Sequence, residues 1–196
     1  MPLEMHCHHA HFLDPPLSDA SIVGKPTVLL IGPYSVGKTS FIQHLLGDPE
    51  EGIPGANVGP EPTTDGFMAV MHGPENKTIL GHVCAADREK PFGGLNQFGS
   101  SLLDKFRCAE CPAEILKGMT LIDTPGVLSG EKQRLGRKYD MAEVCKWFAD
   151  QSDAILLMFD AHKQDISDEL KEVILKLQGN EGKIRIILNK ADQVSQ

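Results

Sequence analysis

The hydrophobic positions fall into apolar runs separated by polar, glycine-rich connections. "PTVLLIG" (26–32) is continuously apolar, the pattern of a strand buried on both faces of a parallel sheet. A helix is expected from about Lys38 to Leu46, with Phe41, Ile42 and Leu45 on one stripe and Gly47 as its stop. "FMAVMHG" (67–73) and "TILGHVC" (78–84) read as two neighbouring strands turned at Gly73-Pro74. A helix is expected across "NQFGSSLLDKFRCAE" (96–110), and "MTLIDTPG" (119–126) reads as a strand ending in a turn. "MAEVCKWFAD" (141–150) reads as a helix and "DAILLMFDA" (153–161) as a buried strand. "SDELKEVILKLQG" (167–179) is a helix with Ser167 as N-cap and acids in its first turn. "KIRIILNKAD" (183–192) is a last strand running into polar residues. Strands alternating with helices predict an α/β, three-layer fold with a mostly parallel sheet and helices on both faces.

Two stretches lack a period. Residues 1–25 form an irregular lead-in, rich in His and Pro, with room for a short helical start. Residues 47–66, "GDPEEGIPGANVGPEPTTDG", are long and rich in Gly and Pro, as functional loops in small domains often are.

Bulk properties narrow the function. The 196 residues, 41% hydrophobic, suit one domain with a real core. A net charge of −8 provides no broad basic field for nucleic acid, so no nucleic-acid partner is expected. Five cysteines at irregular spacing and no secretory h-region read as reduced thiols in the cytoplasm. With Pro2 where N-myristoylation requires glycine, no such anchor is expected. No apolar run approaches the roughly 20 residues that span a bilayer, so membrane contact is expected to be peripheral. His6, His8, His9 and His11 are too densely spaced for one tetrahedral metal site, and Cys108/Cys111 lack the second pair that zinc would need. "GEKQRLGRK" (130–138) reads as a solvated switch loop, and Trp147 and Phe148 as core.

The chemistry sits at the strand ends. "GPYSVGKTS" (32–40) fits GxxxxGK[ST]: two glycines let backbone N–H groups curl around an anion, and the following helix points its positive end there. Its contact set runs over Gly32, Tyr34, Ser35, Val36, Gly37, Lys38, Thr39 and Ser40, with Lys38 for the β- and γ-phosphates and the Thr39 hydroxyl for Mg²⁺. Asp123-Thr-Pro-Gly126 ends an apolar strand, where Asp123 can hold Mg²⁺ and the Gly126 N–H can meet a γ-phosphate. Asn189-Lys190-Ala191-Asp192 matches the N/TKxD element that reads a purine: the lysine stem covers the base and the carboxylate accepts from its edge. "PEPTTDG" offers Thr63 and Thr64 as the switch threonine that ligates Mg²⁺. The position where small GTPases carry a water-orienting glutamine is Val127, so intrinsic turnover is expected to be slow until a partner or second copy completes the site.

"KPTVLLIGPYSVGKTSFIQHLL", "GPEPTTDGFMAVMHG", "LIDTPGVLSGEKQRLGRKYDMAEVCKWFA" and "FDAHKQDISDELKEVI" with "KIRIILNKADQ" resemble the EHD family, the EH-domain-containing members of the dynamin superfamily. The resemblance runs from about residue 25 to the last residue. It implies a membrane-remodelling ATPase of endocytic trafficking that dimerises through its nucleotide domains and assembles on endosomal or plasma-membrane tubules. Thr64 matches the family's switch threonine, Ser35 the P-loop serine facing the bridging oxygen, and Lys90-Pro91-Phe92 a loop used in assembly. Thr64, Lys38 and Ser35 are then the catalytic candidates, and Thr39, Thr64 and Asp123 the metal ligands. Pro33 and Val36 depart from the usual polar residues, and Pro33 removes a backbone donor. The resemblance further implies that residues 26–196 are an incomplete nucleotide domain, without the closing strand and helix, the helical stalk and the EH domain. Asp192 suits guanine, which presents two adjacent donors, whereas the resemblance implies ATP. ATP is favoured, with GTP the alternative.

Overall fold

The computed structural model describes residues 24–47, 52–55, 66–127, 138–163 and 166–193. Its strands are β1 (Thr27–Ile31), β2 (Met68–His72), β3 (Lys77–Leu80), β4 (Arg107–Cys111), β5 (Thr120–Asp123), β6 (Ala154–Asp160) and β7 (Ile184–Asn189). Its α-helices are α1 (Lys38–Leu45), α2 (Gly81–Ala86), α3 (Ser100–Leu103), α4 (Met141–Gln151) and α5 (Asp168–Lys176). The strands form one sheet in the order β3-β4-β2-β5-β1-β6-β7. β1 lies between β5 and β6, parallel to both, with Leu29 opposite Ile122 and Leu30 opposite Leu156. β6–β7 and β2–β4 are also parallel, while β2–β5 and β3–β4 are antiparallel.

Alternation along β1 divides the core between the sheet's two faces. Leu29 and Ile31 join Val144, Phe148, Leu170 and Val173 of α4 and α5. Val28 and Leu30 join Phe41, Ile42 and Leu45 of α1. Helices on both faces of a mostly parallel sheet are the expected three-layer α/β arrangement. Phe67 stacks on Phe148 at 5.3 Å and Phe92 meets Phe106 edge-on at 5.2 Å, which knits α4 to the antiparallel end of the sheet. Trp147 and Phe148 are core, as expected.

Ser167 caps α5 by accepting from the Leu170 N–H at 3.3 Å, and Gly47 closes α1 at φ 83°, both as the sequence predicts. Two expectations fail. β2 and β3 are not neighbours: β4 lies between them, parallel to β2 and antiparallel to β3. The chain also bends into α2 at Gly81, where a Cβ would stand 2.3 Å from the Leu103 carbonyl oxygen. The helix expected over 96–110 is a 3-10 turn (Gly93–Phe98), the single turn α3, and then a strand. Cys108 and Ala109 are fully buried in that strand, and pairing on both edges overrides the weak local helical pattern.

Cys84, Cys108, Cys111 and Cys145 are buried thiols, with no disulfide among the described residues. Among those residues no group of His, Cys, Asp or Glu has metal-site clustering, and no helix is long and apolar enough to cross a membrane. The His-rich lead-in, Thr63, Thr64 and most of the 130–138 segment lie outside the described residues.

Candidate functional site at the carboxyl ends of the strands

The loop after β1 is fixed from three sides. Gly32 lies so close to β6 that a Cβ would stand 2.4 Å from the Met158 carbonyl oxygen. Pro33 forms a parallel bridge with Val127, made by Val127 N–H to the Gly32 carbonyl at 3.2 Å and Tyr34 N–H to the Val127 carbonyl at 3.0 Å. On this strand the bridge uses the carbonyl of the residue before Pro33 and the N–H of the residue after it, so the donor missing at Pro33 is not one this contact needs. Val36 is fully buried in the core beneath α1. Its side chain is therefore a plug, and only its backbone is left to take part in the site. Ser35 (φ 62°) and Gly37 (φ 94°) are both left-handed, a conformation that costs Ser35 about 1–2 kcal/mol. The first-turn N–H groups of α1 beyond Gly37 carry the helix's positive end.

Lys38 opens α1 and is buried, its ammonium donating to the carbonyls of Gly32 and Pro33, both at 3.0 Å. Thr39 donates its hydroxyl to Asp123 Oδ2 at 2.6 Å. Ser40 follows on an exposed position of the helix.

Asp123 ends β5, buried, and its second oxygen, Oδ1, has no hydrogen-bond partner among the described residues. Burial pushes the carboxyl above the usual carboxylate range, against the pull of the Lys38 ammonium, the Thr39 hydroxyl and the Thr124 N–H. Oxygen donors on a buried, uncompensated carboxylate and an adjacent hydroxyl are the set a hard divalent cation takes. Thr124 donates to the Leu30 carbonyl at 2.8 Å and so ties this turn to β1. Gly126 is required by sterics, since a Cβ would stand 2.6 Å from the Tyr34 Cα. Val127 is buried in the apolar core, so its side chain does not face the site.

The loop after β7 reaches back to the first. Asn189 Nδ2 donates to the Val36 carbonyl at 2.8 Å. Lys190, itself left-handed at φ 58°, donates to the Ser35 carbonyl and to Asp160 Oδ2, both at 2.8 Å. The Lys190 ammonium, then the His162 N–H, hold the Asp160 carboxyl below its ordinary range. Asp192 lies exposed on the next turn, Ala191–Gln193.

The structure thus gathers Gly32, Tyr34, Ser35, Val36, Gly37, Lys38, Thr39, Asp123, Gly126, Asn189 and Lys190 at one rim of the sheet. Asp160 was missed by the sequence reading. The signal was there: β5, β6 and β7 each end an apolar run on Asp or Asn, and Asp160 is the β6 member of that set. Lys90-Pro91-Phe92 is anchored elsewhere, with Lys90 paired to Glu110 at 2.7 Å and Phe92 buried against Phe106.

A family model described as "Dynamin family" matches residues 28–191. "EH domain-containing protein 1" of Homo sapiens is 53% identical over 194 residues, covering 99% of this chain and 36% of its own length. "EH domain-containing protein 2" of Rattus norvegicus is 54% identical over 194 residues, covering 99% of this chain and 35% of its own length. The chain therefore spans about a third of the length of the curated relatives it matches. The structure of an oligomerised bacterial dynamin pair superposes with a TM-score of 0.50 at 16% identity, over 89% of this chain and 27% of that one, a likeness of fold.

Proposed function

The chain belongs to the dynamin family, and from that premise we propose that it is the nucleotide-binding part of an EHD-type, Mg²⁺-dependent ATPase that remodels membranes. The observation that carries the proposal is the convergence of three separated segments. Thr39 meets Asp123, Lys38 sits at the mouth of α1, and Asn189 and Lys190 grip the carbonyls of Val36 and Ser35. A phosphate cradle, a hard-cation pair and a base loop at one rim are what a metal–nucleoside triphosphate needs.

Each residue then has a role. Backbone N–H groups from Tyr34 to Ser40 surround the phosphates, with Gly37 giving the close approach. Lys38 supplies positive charge to the β- and γ-phosphates, and Ser35 faces the bridging oxygen. Mg²⁺ held by Thr39 and Asp123, with Thr64 as the switch ligand, would neutralise charge on the phosphate oxygens. Gly126 approaches the γ-phosphate, Lys190 covers the base and Asp192 meets its edge. Since Val127 is buried in apolar surroundings, orienting the attacking water falls to Thr64 and to a second copy of the chain, and turnover alone is slow. ATP follows the likeness to the EH domain-containing proteins. The alternative, GTP, is favoured by the exposed Asp192 carboxylate. In the complete protein this nucleotide domain would dimerise with a second copy and the protein would oligomerise in the cytoplasm, meeting endosomal or plasma membranes peripherally through other regions.

Calorimetric titration with non-hydrolysable ATP and GTP analogues at matched Mg²⁺ tests the reading. Tighter binding of the ATP analogue is expected, with a loss of at least about 100-fold in Lys38→Ala, the scale of two or more charge-assisted contacts. Unchanged affinity in Lys38→Ala would refute the phosphate-cradle assignment.

A further inference from the structure

Lys190 joins three elements that are far apart in the chain. Its backbone belongs to the loop after β7, and its ammonium donates to Ser35 in the phosphate loop and to Asp160 at the end of β6. Asp160 is itself tightly held. Its Oδ1 accepts from the His162 N–H at 2.9 Å, and its carbonyl accepts from the Lys163 N–H at 3.1 Å. The Ala161 N–H donates to the Asn189 carbonyl at 3.0 Å, which binds that turn to the base loop. Asp160 is buried, and its pairing with Lys190 is partly shielded from water.

A lysine stem has four flexible methylenes and loses rotamer freedom whenever it is fixed. Two acceptors of fixed position settle that loss before any ligand arrives. We infer that Asp160 is a positioning residue for base binding: its carboxylate holds Lys190 against the phosphate loop, so the lysine stem stands as a preformed wall for the base. This deepens, and rests on, the nucleotide-binding reading above. Asp160 acts through Lys190 and need not touch the nucleotide.

The position predicts a loss that depends on the base. The probes are ADP and inorganic tripolyphosphate, titrated calorimetrically with Mg²⁺ into the 196-residue chain. Asp160→Asn keeps an oxygen for the His162 N–H but removes the charge that holds Lys190. It should weaken ADP about tenfold, the size of one lost charge-assisted contact, and leave tripolyphosphate within about twofold. In a Lys190→Met background the same substitution should cost nothing further. Asp160→Ser, whose hydroxyl can also cap the turn, carries the same expectation and stands in if Asp160→Asn does not fold. Equal losses for ADP and tripolyphosphate would make Asp160 a merely structural residue and overturn the inference. So would unchanged ADP affinity, or the full tenfold loss persisting without Lys190. If the unsubstituted chain binds neither probe, the nucleotide reading itself has failed, and that outcome is distinct from the other three.

Discussion

Asp123→Asn should stabilise the ligand-free chain while abolishing its metal-dependent binding. The carboxylate is buried, with Thr39 on one oxygen and, among the described residues, no partner on the other. Leaving a buried charged oxygen unpartnered costs about 1–3 kcal/mol. The amide keeps an acceptor for Thr39 and carries no charge. What the substitution removes is the attraction of the Lys38 ammonium, but Lys38 retains the Gly32 and Pro33 carbonyls. Burial is the largest influence on this carboxyl and outweighs the other three together, because the net direction is upward. A gain of about 1–2 kcal/mol is expected, roughly 2–8 °C in Tm for a chain of this size. The pH dependence gives the sign independently. An acid whose folded pKa is raised binds its proton more tightly when folded, so the wild type loses stability as pH climbs from the ordinary value of 3.8 toward the folded one. The gap between variant and wild type should therefore open above about pH 4 and then level off. Thermal melts followed by circular dichroism between pH 4 and 8, in chelator, measure it. Adding Mg²⁺ and nucleotide should then raise the wild type's Tm and leave the variant's unmoved. A variant less stable than wild type at neutral pH, or a gap that ignores pH, would refute the reasoning.

Other substitutions test the framework that places the site. Gly126→Ala would press a methyl to 2.6 Å from the Tyr34 Cα; backbone must move, and a loss of about 2–3 kcal/mol is expected in denaturant unfolding followed by the fluorescence of Trp147. Phe106→Ala empties a fully buried position beside Phe92 and Phe148 and should cost about 3–5 kcal/mol by the same measurement. Lys90→Met leaves Glu110 without its half-buried partner; it should destabilise by about 1–3 kcal/mol, and Lys90→Met/Glu110→Leu should recover most of that, a non-additivity that a double-mutant cycle reads directly.

β1, β5 and most of β6 could be read because they are buried on both faces, whereas β7 is apolar in sequence yet exposes Ile186 and Leu188. Leu29-Leu30-Ile31, and Ile155, Leu157 and Met158, are buried, so their runs show continuous apolar character, and the polar residue that ends each run marks the site. β4 could not be read that way. Arg107 and Glu110 interrupt it, Cys108 and Ala109 have no strong strand preference, and its identity comes from pairing with β2 and β3 across the chain. The interposition of β4 between β2 and β3 is a long-range fact with no local trace. Asp160 was passed over because it belongs to no motif of its own and gains meaning from Lys190, 30 positions later. Val36 presents the opposite case. Its motif position suggests a ligand contact, and burial of its side chain in the core confines any such contact to its backbone, whose carbonyl takes Asn189.

Those two residues expose a common design in the loop. The carbonyls of Gly32, Pro33, Ser35 and Val36 accept from the chain's own cations and amide: Lys38 on Gly32 and Pro33, Lys190 on Ser35, Asn189 on Val36. A loop meant to wrap an anion has to turn its N–H groups inward, and its carbonyls must then find donors on the outer side. Donors from α1 and from the loop after β7 meet that need, so the phosphate loop is held open by the same residues proposed to grip phosphate and base. This accounts for Ser35 at φ 62°: four side-chain donations around it hold a conformation that an isolated serine would leave. It also sets a hierarchy. Cutting the Asn189 contact should loosen the phosphate loop even for ligands that have no base, whereas cutting the Asp160 contact should not, because Lys190 still has the Ser35 carbonyl. Asn189→Ala should therefore weaken tripolyphosphate by about fivefold to tenfold, the worth of one neutral hydrogen bond lost at a strained turn. Unaltered tripolyphosphate affinity in that variant would show that the loop keeps its shape without the latch.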